Sequence, residues 1–101
     1  MTPVRVLPEA EEQIRRASEW WQENRPAARG LFDEELQRAV TLLETTPLAG
    51  RLIRHRQVKA LRRLLMAATR YHLYYDFVGG EVRVLSVWSA VRGRRPKLPM
   101  P

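Results

Sequence analysis

The chain of 101 residues has no cysteine, which excludes disulfide bridges and thiol chemistry and is typical of a reducing compartment. Its only two histidines are His55 and His72, so a zinc site is a poor interpretation. No apolar run is long enough for a signal peptide or for a membrane span. These absences predict one cytoplasmic domain, residues 1–101, that uses no cofactor or metal and has no membrane partner.

Negative charge is scarce in the second half of the chain. Residues 1–50 carry 6 Lys/Arg and 9 Asp/Glu, a net charge of −3, whereas residues 51–101 carry 12 and 2, a net charge of +10. Such asymmetry indicates a surface for a polyanion or for an acidic protein, and a solvated basic face without a partner is the plainer alternative.

Most of the predicted sheet lies between residues 61 and 88. Two alternating runs, residues 70–78 and 81–88, flank Gly79 and Gly80, and a two-residue glycine loop between such runs predicts a β-hairpin. Residues 61–66 predict a strand before it. Alternation predicts that the run 70–78 has Tyr71, Leu73, Tyr75 and Phe77 on one face and His72, Tyr74 and Asp76 on the other. In the run 81–88 it predicts Val82, Val84 and Trp88 on one face and Arg83, Leu85 and Val87 on the other.

The first half predicts an edge strand at residues 4–7 and then two helices. Pro8 suits a first helical turn and the apolar spacing that follows predicts a helix over Pro8–Asn24. Pro26 is predicted to open the second helix, which ends near Thr45. Residues 51–59 give no firm assignment. The predicted order is β-α-α-β-β-β, an α+β domain with a helical hairpin packed on a small antiparallel sheet.

Several short motifs occur in an order that resembles a known superfamily. They are Asn-x-Pro-Ala-Ala from Asn24, Phe32 in the second helix, Pro-x-x-Gly-Arg from Pro47, Leu-Arg-Arg from Leu61, and Arg-Tyr-x-hydrophobic-x-Tyr from Arg70. Together they are similar to the RelE/ParE superfamily of type II toxin–antitoxin toxins, also called plasmid-stabilisation proteins, over nearly the whole chain.

The resemblance implies a bacterial toxin that arrests growth until a small acidic antitoxin binds it, with oligomers formed through that antitoxin. ParE-like members inhibit DNA gyrase, whereas RelE-like members cleave mRNA on the ribosome. RelE-like toxins tend to have a Tyr or His after the last strand, and residues 89–101 contain neither. The chain is therefore interpreted as ParE-like and non-catalytic. If it is a nuclease instead, the candidate catalytic residues are His72, Tyr74, Arg62 and Arg92.

The residues predicted to contact the target or the antitoxin are mostly cationic or aromatic. They are Trp20, Arg62, Arg63, Arg70, Tyr74, Arg92, Arg94 and Arg95. Arg62 and Arg63 are expected on opposite faces of a strand, one of them structural. Residues 92–101 are expected to form a flexible basic tail. Two further alternatives are a nucleic-acid-binding module and an inactive toxin fold that only binds its antitoxin.

Overall fold

The computed structural model describes residues 1–91 and 96–98. An α+β fold is confirmed: two helices are followed by most of a mixed sheet. In chain order the elements are β1 (Val4–Val6), α1 (Pro8–Asn24), a 3₁₀ turn (Pro26–Ala28), α2 (Leu31–Thr45), β2 (Arg51–Leu52), β3 (Arg62–Met66), β4 (Tyr71–Val78) and β5 (Glu81–Ser89).

Strands pair in the order β1-β5-β4-β3-β2 among the described residues. Strand β1 lies at one edge, as predicted, and runs parallel to β5, while the other pairs are antiparallel. The hairpin between β4 and β5 is confirmed, since Gly79 and Gly80 have φ of 61° and 76°, values that glycine adopts without strain. Strand β2, two residues long, lies in the segment that the sequence left unassigned.

The second helix begins later than predicted. Pro26 forces Arg25 out of the helical region, at φ −132° and ψ 71°, but it opens only a 3₁₀ turn. Gly30, a poor helix former, follows that turn, and α2 starts at Leu31 with acidic side chains in its first turn. The prediction that one continuous helix starts at Pro26 is wrong.

The sheet is covered on both faces. One face packs under the helices and forms the main core with buried Phe32, Leu43, Leu73 and Tyr75. The opposite face holds a second cluster of buried residues, which are Val58, Leu61, Tyr74, Leu85 and Leu98. The second cover comes from the segment between β2 and β3 and from Leu98 near the end of the chain.

A β-bulge reverses the predicted orientation of the end of β5. Tyr74 pairs with Ser86 but Tyr75 pairs with Val84, which leaves Leu85 as an extra residue. Beyond the bulge, Val87 packs in the helix-side core and Trp88 packs beside the second cluster. The prediction that placed Trp88 with Val84 and Val87 with Leu85 is therefore wrong.

A buried hydroxyl fixes the turn after α2. The backbone N–H of Gly50 donates to Tyr75 Oη at 2.7 Å. Arg62 Nη1 donates to the carbonyls of Gly50 at 2.8 Å and of Leu48 at 3.2 Å. A Cβ on Gly50 would lie 2.6 Å from Tyr75 Cε1, so only glycine lets the two groups approach.

We expect Tyr75→Phe to destabilise the protein by about 1–2 kcal/mol, because the buried Gly50 N–H loses its acceptor. Tyr74→Phe, a change of the same size on the opposite face, is the matched control and leaves the Gly50 turn intact. Urea unfolding monitored by circular dichroism measures both. Equal free energies of unfolding for the two variants would contradict the role given to the Tyr75 hydroxyl.

Candidate functional site

A groove of about 670 Å³ lies between helix α1 and the adjoining ends of β4 and β5. Its walls combine aromatic rings with guanidinium groups. The residues that characterise it are Arg16, Trp20, Trp21, Arg25, Arg70 and Trp88. We call this surface the aromatic groove. It brings together two residues, Trp20 and Arg70, that lie fifty positions apart in the sequence.

Consecutive tryptophans near the end of α1 form its apolar part. Trp20 is 45% exposed, whereas Trp21 is half-buried and packs on the core. Their rings meet edge to face with centroids 5.8 Å apart. The guanidinium carbon of Arg25 lies 5.1 Å from the Trp20 centroid and 5.8 Å from that of Trp21. This cation–π arrangement holds an exposed indole in place.

Trp21 also presents a donor that the fold does not use. Its Nε1 is buried, and no acceptor among the described residues makes a hydrogen bond to it. A buried donor without a partner carries an energetic cost.

Arg70 supplies the cation on the opposite side of the groove. It has φ of 64°, a left-handed conformation unusual for a residue other than glycine. Its N–H donates to the Met66 carbonyl at 2.8 Å, and its own carbonyl accepts the Ala90 N–H at 2.7 Å. These two bonds hold the backbone in the strained turn and leave the Arg70 side chain exposed.

Glu35 of helix α2 anchors the same turn. Its carboxylate accepts the N–H of Ala68 at 2.7 Å, the N–H of Thr69 at 2.9 Å and the Thr69 hydroxyl at 2.6 Å. Burial alone would raise the pKa of Glu35, but the hydrogen bonds from Thr69 and Ala68 outweigh it and lower that pKa below its ordinary value of 4.5. The position of Arg70 therefore depends on a charged Glu35.

The other face of β4 carries the residues considered for catalysis. His72 and Tyr74 meet edge to face, with ring centroids 5.9 Å apart. Burial, followed by the nearby positive charge of Arg63, lowers the pKa of His72, so its imidazole is neutral at pH 7. Tyr74 shares a face with His72, as alternation predicts, but it is only 3% exposed because it packs in the second cluster.

Among the described nuclease candidates, Arg62 lies apart from His72 and Tyr74. Arg62 pairs with Tyr75, on the helix-side face, and its guanidinium binds the carbonyls of the Gly50 turn. His72 and Tyr74 lie on the opposite face. Arg92 is outside the described residues. In residues 1–91 and 96–98, no group of three His, Cys, Asp or Glu side chains could hold a metal ion, and no helix there is long and apolar enough to cross a membrane.

Comparison with protein-family models shows which family the chain belongs to. A family model described as the ParE toxin of the type II toxin–antitoxin system, parDE, matches residues 4–93. The chain belongs to the ParE toxin family. No curated protein matches the chain. The resemblance seen in the sequence is thus confirmed, and it falls on the ParE branch of the superfamily.

The described contact residues predicted for this ParE-family toxin do not share one site. Trp20 and Arg70 share the aromatic groove, and Arg63 lies with His72 on the other face of the sheet. Arg62 serves the Gly50 turn and Tyr74 is buried. The remaining three, Arg92, Arg94 and Arg95, lie outside the described residues. A contact role stays a prediction for each of these residues.

Sequence reasoning missed two residues that shape the groove of this toxin. Arg25 was not among the predicted contact residues, although its spacing from Trp20 and Trp21 at a helix end suits a cation–π contact. Glu35 gave no local signal, because its partners Ala68 and Thr69 lie more than thirty residues away.

We expect Glu35→Gln to reduce the free energy of unfolding at pH 7 by about 1–2 kcal/mol, the low end for charged hydrogen bonds because the site is partly solvated. A lowered folded pKa gives stability that is present above pH 4.5 and is lost as pH falls through the folded value. Wild type and Glu35→Gln should therefore converge in acid. Urea unfolding at pH 7 and pH 3.5 measures the free energy of unfolding of both proteins. The control is Glu34→Gln, which changes the exposed neighbouring carboxylate in the same way. A difference from wild type that stays constant with pH would contradict it.

Proposed function

We propose that this ParE-family toxin arrests growth by inhibiting DNA gyrase and does so without catalysing a reaction of its own. Family membership supports the toxin class. The observation that carries the non-catalytic mechanism is the separation of Arg62, on the helix-side face, from His72 and Tyr74 on the opposite face. RNA cleavage through a ribose 2′-OH needs an acid, a base and a cation close to one phosphate.

Burial strengthens this argument against a ribonuclease. Tyr74 is only 3% exposed, so little of its side chain is available to a substrate in this conformation. The sequence after β5 has no His or Tyr that could replace it. The only other candidate acid or base described beside His72 is the buried Tyr74. An inhibitor that acts by binding needs none of these groups.

We also propose that the aromatic groove receives the antitoxin. An exposed indole held by a guanidinium is the kind of anchor that dominates protein interfaces. Arg16, Arg25 and Arg70 place positive charge around it, which complements an acidic segment with an apolar anchor. A bound carboxylate-rich segment would neutralise the toxin and form the larger assembly through the antitoxin.

Separate pulse labelling with thymidine and methionine after induced expression in a bacterial host tests the target. We expect thymidine incorporation to stop first while methionine incorporation continues. His72→Gln is the matched variant: a gyrase inhibitor keeps its toxicity, whereas a nuclease that uses this base loses at least about tenfold in activity.

Early collapse of methionine incorporation, together with loss of toxicity in His72→Gln, would overturn the gyrase proposal and support the RelE-like alternative. Normal growth with tight antitoxin binding would instead support the inactive toxin fold.

Trp20→Ala should weaken antitoxin binding by at least about thirtyfold, because truncation of a central aromatic anchor costs about 2 kcal/mol or more. Leu42→Ala is the control, since Leu42 is an exposed apolar residue of α2 away from the groove. Titration calorimetry of each toxin variant with the cognate antitoxin gives the affinities. Equal affinities for the two variants would place the antitoxin elsewhere.

A further inference from the structure

The segment between β2 and β3 forms a basic surface outside the aromatic groove. Residues 53–61 contain three Lys/Arg and one His, three further arginines flank them at Arg51, Arg62 and Arg63, and no Asp or Glu occurs between Glu44 and Asp76. We call residues 53–61 the basic loop. The sequence alone predicts neither a structure nor a role for this segment.

The basic loop is fixed on the sheet by its apolar side chains. Val58 is 3% exposed and Leu61 is fully buried, both in the second cluster, and Ile53 packs beside them. The N–H of Ile53 donates to the Leu61 carbonyl at 2.8 Å and closes the base of the loop. The ordering of this segment is therefore part of folding.

His55 fixes the tip of the loop. Its Nδ1 accepts two backbone hydrogen bonds, from Gln57 and Val58, both at 3.1 Å. Because Nδ1 is an acceptor, the ring hydrogen is on Nε2, where it remains a donor. The imidazole thus orders the turn and adds a donor to the loop surface.

What the loop exposes is almost entirely cationic. Arg54, Arg56, Gln57 and Lys59 are exposed, and an open cleft of about 370 Å³ is lined by Arg54, His55, Arg56 and Gln57. Guanidinium, amide and imidazole N–H groups line this cleft beside one another. Such a set of donors, with no carboxylate in the loop sequence, suits an anion that repeats at close spacing.

The chemistry of the loop distinguishes between nucleic acid and protein as its partner. A protein interface needs an apolar centre, as the aromatic groove has, but the large apolar residues of the basic loop, Ile53, Val58 and Leu61, pack on the sheet and only the small Ala60 is exposed. A phosphate backbone needs only cations and N–H donors held in place. We propose that the basic loop binds the phosphodiester backbone of nucleic acid without sequence preference, at a site separate from the aromatic groove.

The proposal does not depend on gyrase as the target. Fluorescence anisotropy of a short labelled DNA duplex and of a single-stranded RNA of equal length, titrated with the toxin over a range of salt concentrations, tests it. Wild type is compared with Arg54→Ala/Arg56→Ala. The matched control is Arg29→Ala/Arg38→Ala, which removes the same charge from exposed positions in and before α2.

Loss of two phosphate contacts should reduce the slope of log K against log salt by about 1.8 for duplex DNA and by about 1.4 for the single strand. The control should keep the wild-type slope. Whichever nucleic acid binds more tightly identifies the source of the phosphate. Arg54→Lys/Arg56→Lys should bind with the wild-type slope, because a lysine also contacts phosphate as a point charge.

Equal slopes for the loop variant and its control would overturn the proposal, as would the absence of binding at low salt. If polyglutamate of matched charge displaces DNA as well as unlabelled duplex does, the loop takes acidic protein and the nucleic-acid assignment fails. Circular dichroism shows whether the alanine variant folds. If it does not, Lys59→Glu, at an exposed position, gives the same test through a reduced slope.

Discussion

Burial of strand β4 on both of its faces is the constraint on which the rest of this structure depends. Leu73, Tyr74 and Tyr75 are consecutive and all are buried, so neither face of the strand can be left to solvent. The helical hairpin covers Leu73 and Tyr75, and the basic loop with Leu98 covers Tyr74. In each of these two layers, apolar residues pack on the sheet and charged residues face solvent. The aromatic groove and the basic loop are thus the outer sides of two layers that the same strand requires.

These two outer sides differ in the interactions they favour. In the aromatic groove a guanidinium stacks on an exposed indole, which combines apolar area with charge. In the basic loop, residues 54–57 are all polar or charged. The first arrangement favours a folded acidic protein segment and the second favours a phosphate chain. A toxin with two such surfaces could hold its antitoxin without using the loop, so the two proposals stand or fall separately.

Local features of this fold could be predicted from the sequence, and features that depend on distant partners could not. The hairpin follows from Gly79 and Gly80, and helix α1 follows from Pro8 and its apolar spacing, because each signal lies within the element itself. The bulge at Leu85 and the burial of Tyr74 depend on side chains from elsewhere, so alternation alone gave the wrong faces. At the candidate site, Trp20 and Arg70 were each predicted from residue type. That they line one groove could not be predicted, because it depends on the turn that Glu35 anchors from helix α2. The structural role of Arg62 could not be predicted either, because it depends on the Gly50 carbonyl, twelve residues away.

The central claim is that this ParE-family chain inhibits gyrase and does not cut RNA. The most direct measurement is to incubate the purified toxin with gyrase, ATP and relaxed plasmid, and in parallel with translating ribosomes and mRNA. The account predicts loss of supercoiling or accumulation of cleaved plasmid, with the mRNA intact, and the same result for His72→Gln. Cleaved mRNA with unimpaired supercoiling would contradict it, and would require Tyr74 to become exposed for catalysis.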